Sequence, residues 1–150
     1  MVTAIIGIYT LYVLIRIYVS VMQIGYVNQA KRQNAVLMTA AEFLKAGNYA
    51  VAKEKLSMFT TMLDFLIFMA WMSFGIAWIE QTFMVYDATL STIFAVLAFI
   101  LVNGLIAMPI EYYEKFVLDA KFGFNRSSMA LYIKDTVIST LLTVLFGGLI

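Results

Sequence analysis

Residues 88–110 have the sequence ATLSTIFAVLAFILVNGLIAMPI, and this stretch decides the fold class. It contains no charged side chain, and Asp87 and Glu111 are the first charges on either side of it. A helix needs about 20 consecutive apolar residues to cross a hydrocarbon core about 30 Å thick. The stretch is long enough, so it predicts a helix that spans a membrane.

The composition of the whole chain agrees with this prediction. Of the 150 residues, 63% are hydrophobic and only 13% are charged, whereas soluble domains average about 45–50% apolar and about 25% charged residues. Such a chain has too few polar residues to cover a surface in water, and too few charges for a disordered protein. A net charge of +1 gives no reason to expect nucleic acid as a partner. We therefore expect an integral membrane protein whose first partner is the lipid bilayer.

Three further apolar segments complete the predicted fold, which is an all-α, polytopic helical membrane bundle. The four predicted spans are about 4–22, 57–79, 88–110 and 129–150, within one amino-terminal membrane domain covering 1–150. The fourth span has no charge after Asp135 and no polar anchor at its end. We therefore expect this span to be truncated and the native chain to continue.

The distribution of Lys and Arg predicts the orientation of the spans. Nine of these side chains lie in 23–56 and 111–135, and the turn at 80–87 has none. Cytoplasmic connections carry an excess of Lys and Arg. We therefore expect the connections 23–56 and 111–128 to be cytoplasmic and the amino terminus to lie outside. The short connections favour a bacterial inner membrane.

The first cytoplasmic connection contains signals for helix ends. Thr39-Ala-Ala-Glu42 fits a capping box, in which a hydroxyl and a carboxylate three residues apart satisfy the first backbone N–H groups of a helix. Gly47 and Asn48 then predict a helix stop followed by a new amino-terminal cap. A short surface helix should therefore precede the helix that enters the second span.

The second connection should continue the third span as a helix. Glu111, Lys115 and Asp119 lie four residues apart on one helix face, a spacing that suits surface ion pairs better than a metal site. Gly123 suits the left-handed position that ends such a helix. The candidates for the cap of the next helix are Asn125, Ser127 and Ser128.

Polar residues inside the spans are the candidates for a functional interior. A charge at the bilayer centre is unfavourable by about 2.5–3.5 kcal/mol, so such charges pair or face a cavity. With a rise of 1.5 Å per residue, Arg16 and Asp64 both lie about 10 Å from the cytoplasmic boundary, and Asn103 is at a similar depth. We expect these three to approach one another and to line a polar interior on the cytoplasmic side. Asp135 is a further candidate, for orienting a neighbouring loop or a substrate segment. The alternatives are that Arg16 extends to the interface, Asp64 bonds locally and Asp135 is an interfacial charge.

The chain contains no histidine and no cysteine. These residues supply most zinc ligands, and histidine is the commonest general base. We therefore assign no catalytic, cofactor-binding or metal-binding residue within these 150 residues. The chain alone is not expected to be a complete enzyme.

The region 109–135 resembles the signature region of the CAAX prenyl endopeptidase family. The signature residues are Tyr113, Phe116, Lys121, Gly123, Phe124 and Asn125. The resemblance extends over most of the chain from about Thr39 onward, including 42–55. These proteins are integral-membrane zinc metalloproteases, so the resemblance implies zinc and a peptide or protein substrate for the full-length member. The family binds zinc with His-Glu-x-x-His and a downstream glutamate, and this chain lacks that motif.

The resemblance implies that the chain is the amino-terminal membrane domain of such a protease, forming part of the chamber that admits a peptide substrate. The candidates for lining this chamber are then Arg16, Asp64, Asn103 and Asp135. Two other functions stay open. One is a stand-alone, non-catalytic membrane protein or adaptor. The other is a transporter subunit, suggested by the polar residues in the spans but weakened because no span is broken in its middle.

Overall fold

The computed structural model of the protein describes residues 2–33, 39–83 and 88–147. All regular elements in these ranges are helical. The five α-helices are α1 (Val2–Ala30), α2 (Ala40–Ala70), α3 (Ile76–Phe83), α4 (Ala88–Tyr112) and α5 (Met129–Gly147). Two π-helical segments, Trp71–Gly75 and Tyr113–Asp119, join or extend them.

Four continuous helices are long and apolar enough to cross a membrane. They are Val2–Ala30, Ala40–Phe83, Thr89–Asp119 and Met129–Gly147. Each overlaps one predicted span, and the all-α, polytopic membrane bundle is confirmed. The limits of each span in the bilayer and the extent of the domain stay predictions. Residues 84–87, in the predicted turn, and residues 148–150, at the end of the fourth predicted span, lie outside the described ranges.

The surface of these helices is apolar. Large side chains such as Ile8 (71% exposed) and Phe74 (66% exposed) are open to the surroundings, and only a few apolar side chains, such as Val13 and Leu118, are buried. An apolar surface this extensive is unfavourable in water. In a bilayer it contacts lipid chains while each helix satisfies its own backbone groups, so these exposures agree with a membrane environment.

The chain forms two compact units. The first contains Met1–Met69 and Phe116–Phe124, and the second contains Ala70–Lys115 and Asn125–Ile150. The chain therefore passes from one unit to the other three times. The π-helical segment Trp71–Gly75 follows the first passage, and the other π-helical segment contains the second.

Local signals start two of the helices at the predicted caps. The Oγ1 of Thr39 accepts a 3.3 Å hydrogen bond from the N–H of Glu42, and the Oε2 of Glu42 accepts a 3.2 Å bond from the N–H of Thr39. This reciprocal pair is the predicted capping box of α2. The Oγ of Ser128 accepts a 3.2 Å bond from the N–H of Leu131 and caps α5.

The helix stop predicted at Gly47 and Asn48 is wrong, because α2 continues through both residues. A Cβ atom at Gly47 would lie 2.6 Å from the Cγ and Cδ atoms of Lys31, so the glycine allows close packing instead of ending the helix. Asn48 accepts a 3.0 Å hydrogen bond from the Nζ of the same lysine. Gly47 and Asn48, which in the sequence indicated a helix break, therefore both contact Lys31 from within a continuous helix.

Candidate functional site

The signature loop is the segment Asp119–Asn125, which follows the π-helical extension of α4. Gly123 has φ = 73° and is the only described residue with a left-handed backbone conformation. Its N–H donates a 3.0 Å hydrogen bond to the carbonyl of Ala120, and the N–H of Phe124 donates a 2.8 Å bond to the carbonyl of Asp119. These two bonds form a Schellman motif, which confirms that the helix ends where Gly123 predicted it.

A tyrosine from α2 holds the signature loop. The hydroxyl of Tyr49 donates a 2.8 Å hydrogen bond to the Oδ1 of Asp119. The Tyr49 ring lies edge-on to Phe122, with 5.4 Å between ring centroids, and 4.5 Å from Phe124. Aromatic pairs of this geometry contribute about 0.5–1.5 kcal/mol each beyond the area they bury. We call Tyr49, Asp119, Phe122 and Phe124 the Tyr49 cluster; it joins α2 to both sides of the loop.

Two lysines of α2 flank this cluster. The Nζ of Lys45 lies 5.6 Å from the centroid of the Phe124 ring. The Nζ of Lys53 lies 5.7 Å from the centroid of the Tyr49 ring and 3.4 Å from its hydroxyl oxygen. Ammonium groups over aromatic rings are attracted by the negative ring face. Both lysines therefore support the aromatic arrangement while their charged ends stay exposed.

The protonation state of the Tyr49 hydroxyl follows from its surroundings. Burial raises the pKa of Tyr49 most, its hydrogen bond to Asp119 raises the pKa further, and Lys53 partly offsets both effects. Tyr49 lies in the polar part of α2, before the predicted span 57–79. Since the ordinary pKa of tyrosine is already about 10, the phenol is protonated at neutral pH and serves as the donor.

Four further signature residues are Tyr113, Phe116, Lys121 and Asn125. The Oδ1 of Asn125 accepts a 2.8 Å hydrogen bond from the N–H of Ser127, which turns the chain toward α5. Tyr113 and Lys121 are exposed, and Phe116 is half-buried in the π-helical segment. The signature residues thus lie in the π-helical extension of α4, at the helix end formed by Gly123, and in the turn that leads to α5.

The predicted ion-pair face of Glu111, Lys115 and Asp119 does not form. Asp119 instead accepts the bond from Tyr49, and the Nζ of Lys115 lies 5.0 Å from the centroid of the Tyr132 ring. The segment containing Lys115 and Asp119 is π-helical, with hydrogen bonds to the fifth residue along. The partners that Asp119 finds in α2 and Lys115 finds in α5 replace ion pairing along the helix face.

The first unit contains two of the predicted chamber residues. The Nη2 of Arg16 donates a 3.4 Å hydrogen bond to the Oγ of Ser57. Asp64 is exposed, and in the described structure Arg16 is bonded to Ser57 and not to Asp64. Because Ser57 begins the second predicted span, this contact matches the alternative in which Arg16 extends to the interface.

Asn103, in the second unit, has partners for both ends of its amide. Its Oδ1 accepts a 3.2 Å hydrogen bond from the Nε1 of Trp71, and its Nδ2 donates a 2.7 Å bond to the carbonyl of Phe99. Trp71 begins a π-helical segment, and a Cβ atom at Gly75 would collide with the Trp71 ring. Gly75 therefore provides the space in which the indole approaches α4.

Asp135 lies exposed in α5. Its role, and the role of Arg16, Asp64 and Asn103 as chamber-lining residues, stay predictions. Two residues that organise these contacts, Tyr49 and Trp71, were not predicted from the sequence. For Tyr49 the only local signal is an aromatic residue in a polar segment.

The zinc implied by the family resemblance does not fit the residues of this chain. In the described ranges no three Asp, Glu, His or Cys side chains lie close enough to hold a metal ion. The full sequence has neither histidine nor cysteine, so a site built on His-Glu-x-x-His is not contained in it. No catalytic step can be assigned to these residues through a metal.

Two curated relatives share sequence with the chain. It is 31% identical over 119 residues to CAAX prenyl protease 1 of Saccharomyces cerevisiae, covering 71% of this chain and 26% of that protein. It is 48% identical over 46 residues to the CAAX prenyl protease 1 homolog of Dictyostelium discoideum, covering 31% of this chain and 11% of that protein. The chain thus spans about a quarter or less of the length of these relatives.

A solved structure and a family model complete the comparison. The crystal structure of S. mikatae Ste24p has the same fold, with a TM-score of 0.85 and 22% sequence identity, over 98% of this chain and 37% of that one. The family model described as CAAX prenyl protease N-terminal, five membrane helices, matches residues 23–150, which include the Tyr49 cluster. The chain belongs to the CAAX prenyl protease family and matches its amino-terminal membrane part.

Proposed function

We propose that this chain is the amino-terminal membrane part of an integral-membrane zinc metalloendopeptidase resembling the CAAX prenyl proteases. The observation that carries the proposal is the family match over residues 23–150. The Tyr49 cluster supports it, because the signature loop is held by specific contacts and not only by lipid-facing packing. Hydrolysis belongs to residues outside this chain, where bound zinc would activate water.

In this proposal the chain forms part of the wall of a chamber that admits a peptide substrate. Polar side chains in the spans support such a role, since a polar residue in a span is tolerated where it faces water or another polar group. The candidates for this wall are Asp64, Asn103 and Asp135. Their task would be to hold and orient a peptide that is cleaved elsewhere. The fourth predicted residue, Arg16, is bonded to Ser57 and matches the alternative in which it extends to the interface.

The proposed orientation places the connections 23–56 and 111–128 in the cytoplasm and the amino terminus outside. It rests on the Lys and Arg excess of these connections. The signature loop would then lie on the cytoplasmic side. The bacterial inner membrane stays a prediction from the short connections, and the relatives described above are from Saccharomyces and Dictyostelium.

Cysteine accessibility tests the chamber. Because the chain has no cysteine, Asp64→Cys, Asn103→Cys and Asp135→Cys each add a single thiol to the spans. A charged, membrane-impermeant thiosulfonate should modify these thiols through a water-filled chamber, and a peptide substrate should slow the modification. Ile8→Cys is the control, because Ile8 is 71% exposed on an apolar helix and should face lipid.

The outcomes separate the proposal from its alternatives. Modification slowed by the peptide supports a substrate chamber. Modification that the peptide does not change favours the transporter or adaptor alternatives. If all three thiols are as unreactive as the one at position 8, they face lipid or packed protein, and the chamber proposal is wrong.

A further inference from the structure

Arg16 is a cation within a membrane-spanning helix, and its charge is not balanced by the contact it makes. Its side chain is exposed, and its Nη2 lies 3.4 Å from the hydroxyl oxygen of Ser57, which is neutral. Among the described residues no ion pair is formed by Arg16. Charged side chains inside spans pair with an opposite charge or reach a polar region, so this guanidinium needs an anion or water.

The position of Ser57 shows where that anion would lie. Ser57 is the first residue of the second predicted span, so the Arg16 guanidinium reaches the level of the membrane boundary. Lys53 and Lys55 precede it in α2, about 6 Å and 3 Å further from the hydrocarbon core at 1.5 Å per residue. Phospholipid headgroups occupy this layer, which extends several ångströms beyond a core about 30 Å thick.

The donors at this position suit a phosphate group. A guanidinium offers five N–H donors in a planar fork that matches phosphate oxygens. The hydroxyl of Ser57 accepts from Arg16 and keeps its own O–H as a donor. The neighbouring hydroxyls of Thr60 and Thr61 donate to the carbonyl of Ser57, at 2.9 Å and 2.8 Å, and so point back to the α2 backbone.

The surroundings favour a lipid over a free anion. Tyr12 and Val19 lie four residues before and three residues after Arg16, on the same helix face, and are 56% and 47% exposed. These surfaces offer contacts to acyl chains on the face of α1 that carries Arg16. From these contacts we infer that Arg16 and Ser57 bind the phosphate group of a phospholipid at the membrane boundary of α1 and α2.

A ligand titration of the full-length protein in a neutral detergent tests the site. The ligand is dioctanoyl phosphatidic acid, and binding is followed by the shift in the thermal unfolding midpoint. Dioctanoylglycerol, which has the same chains without the phosphate, and inorganic phosphate are the two comparison ligands. Only the phosphatidic acid should raise the midpoint at micromolar concentration, since it alone satisfies both the guanidinium and the apolar face.

Substitutions then test whether the phosphatidic acid binds at Arg16 and Ser57. Arg16→Gln should weaken the apparent affinity roughly tenfold or more, because hydrogen bonds to charged groups are the strong ones. Lys134→Gln removes an exposed cation near the start of the fourth span and should leave the affinity unchanged. Ser57→Ala keeps the charge and removes only the hydroxyl, so it should weaken binding a few-fold even if the arginine variant folds poorly.

Three results would overturn the inference. Equal affinity of Arg16→Gln and the unsubstituted protein would mean that phosphate is bound elsewhere. Equal binding of dioctanoylglycerol would mean that the phosphate is not recognised. If inorganic phosphate binds as tightly as phosphatidic acid, the site recognises a free anion and not a lipid.

Discussion

The hydroxyl of Tyr49 donates a 2.8 Å hydrogen bond to the carboxylate of Asp119, 70 residues further along the chain. Through this bond and the contacts of its ring with Phe122 and Phe124, Tyr49 of α2 packs against the signature loop. The loop is therefore held by a residue of the first connection as well as by its own glycine.

Replacing the tyrosine isolates the hydrogen bond. Tyr49→Phe keeps the ring and removes the donor, so it should lower the free energy of unfolding by about 1 kcal/mol. The thermal unfolding midpoint of the full-length protein in detergent measures this loss, and amide hydrogen exchange of Gly123 and Phe124 should become faster. Tyr26→Phe is the matched control, because Tyr26 is 74% exposed in α1 and is not part of the Tyr49 cluster. Equal effects of the two substitutions would show that the bond does not stabilise the loop.

The left-handed glycine gives a second prediction. Gly123→Ala places a Cβ atom on a residue with φ = 73°, and should destabilise the loop by about 1–2 kcal/mol. Gly25→Ala is the control, since Gly25 has nothing within 4 Å of its added Cβ and lies in a regular helix. That substitution should be neutral or stabilise the protein by up to about 1 kcal/mol. If both alanine variants melt alike, the strain argument fails.

The π-helical segment Trp71–Gly75 gives a third prediction. Gly75→Ala adds a Cβ atom that collides with the Trp71 ring, and should cost about 1–3 kcal/mol and displace the indole from Asn103. Tryptophan fluorescence reports the displacement when the spectrum of a Trp71→Phe variant is subtracted, which leaves the emission of this indole. Gly104→Ala, which meets nothing within 4 Å, should leave the spectrum unchanged. An unshifted spectrum in the Gly75 variant would contradict the described packing.

The orientation can be tested in the same way, because residues 1–150 contain no cysteine and single cysteines can be added to them. Arg126→Cys lies in the connection 111–128, and Gln81→Cys lies near the end of α3; both residues are exposed. In intact cells an impermeant maleimide should label position 81 and not position 126. After the membrane is permeabilised both should react. Labelling of position 126 in intact cells would reverse the proposed orientation.

Several features could be predicted because their causes are local. The absence of charge in 88–110 indicates a span wherever the residues lie in space, and the capping box at Thr39 and the stop at Gly123 depend on residues within a few positions. The fold class and two helix starts followed from such short-range chemistry.

Other features could not be predicted because their causes lie elsewhere in the chain. Gly47 and Asn48 carry the composition of a helix break, yet contacts with Lys31 keep them helical. Arg16 and Asp64 have matching depths, but depth does not decide which faces meet, and Arg16 bonds to Ser57. Tyr49 gains its importance from Asp119, Phe122 and Phe124, about 70 residues further along the chain, and its only local signal is an aromatic residue in a polar segment.

Zinc-dependent peptide cleavage by the protein expressed from its complete gene tests the central claim most directly. We predict that membranes containing this protein cleave a carboxy-terminal peptide substrate, which is presented both with and without a prenyl group. A zinc chelator should abolish the cleavage and added zinc should restore it, since the metal generates the attacking water. No cleavage of such peptides, or cleavage that is unaffected by removing zinc, would contradict the proposal that these residues are the membrane part of a zinc metalloendopeptidase.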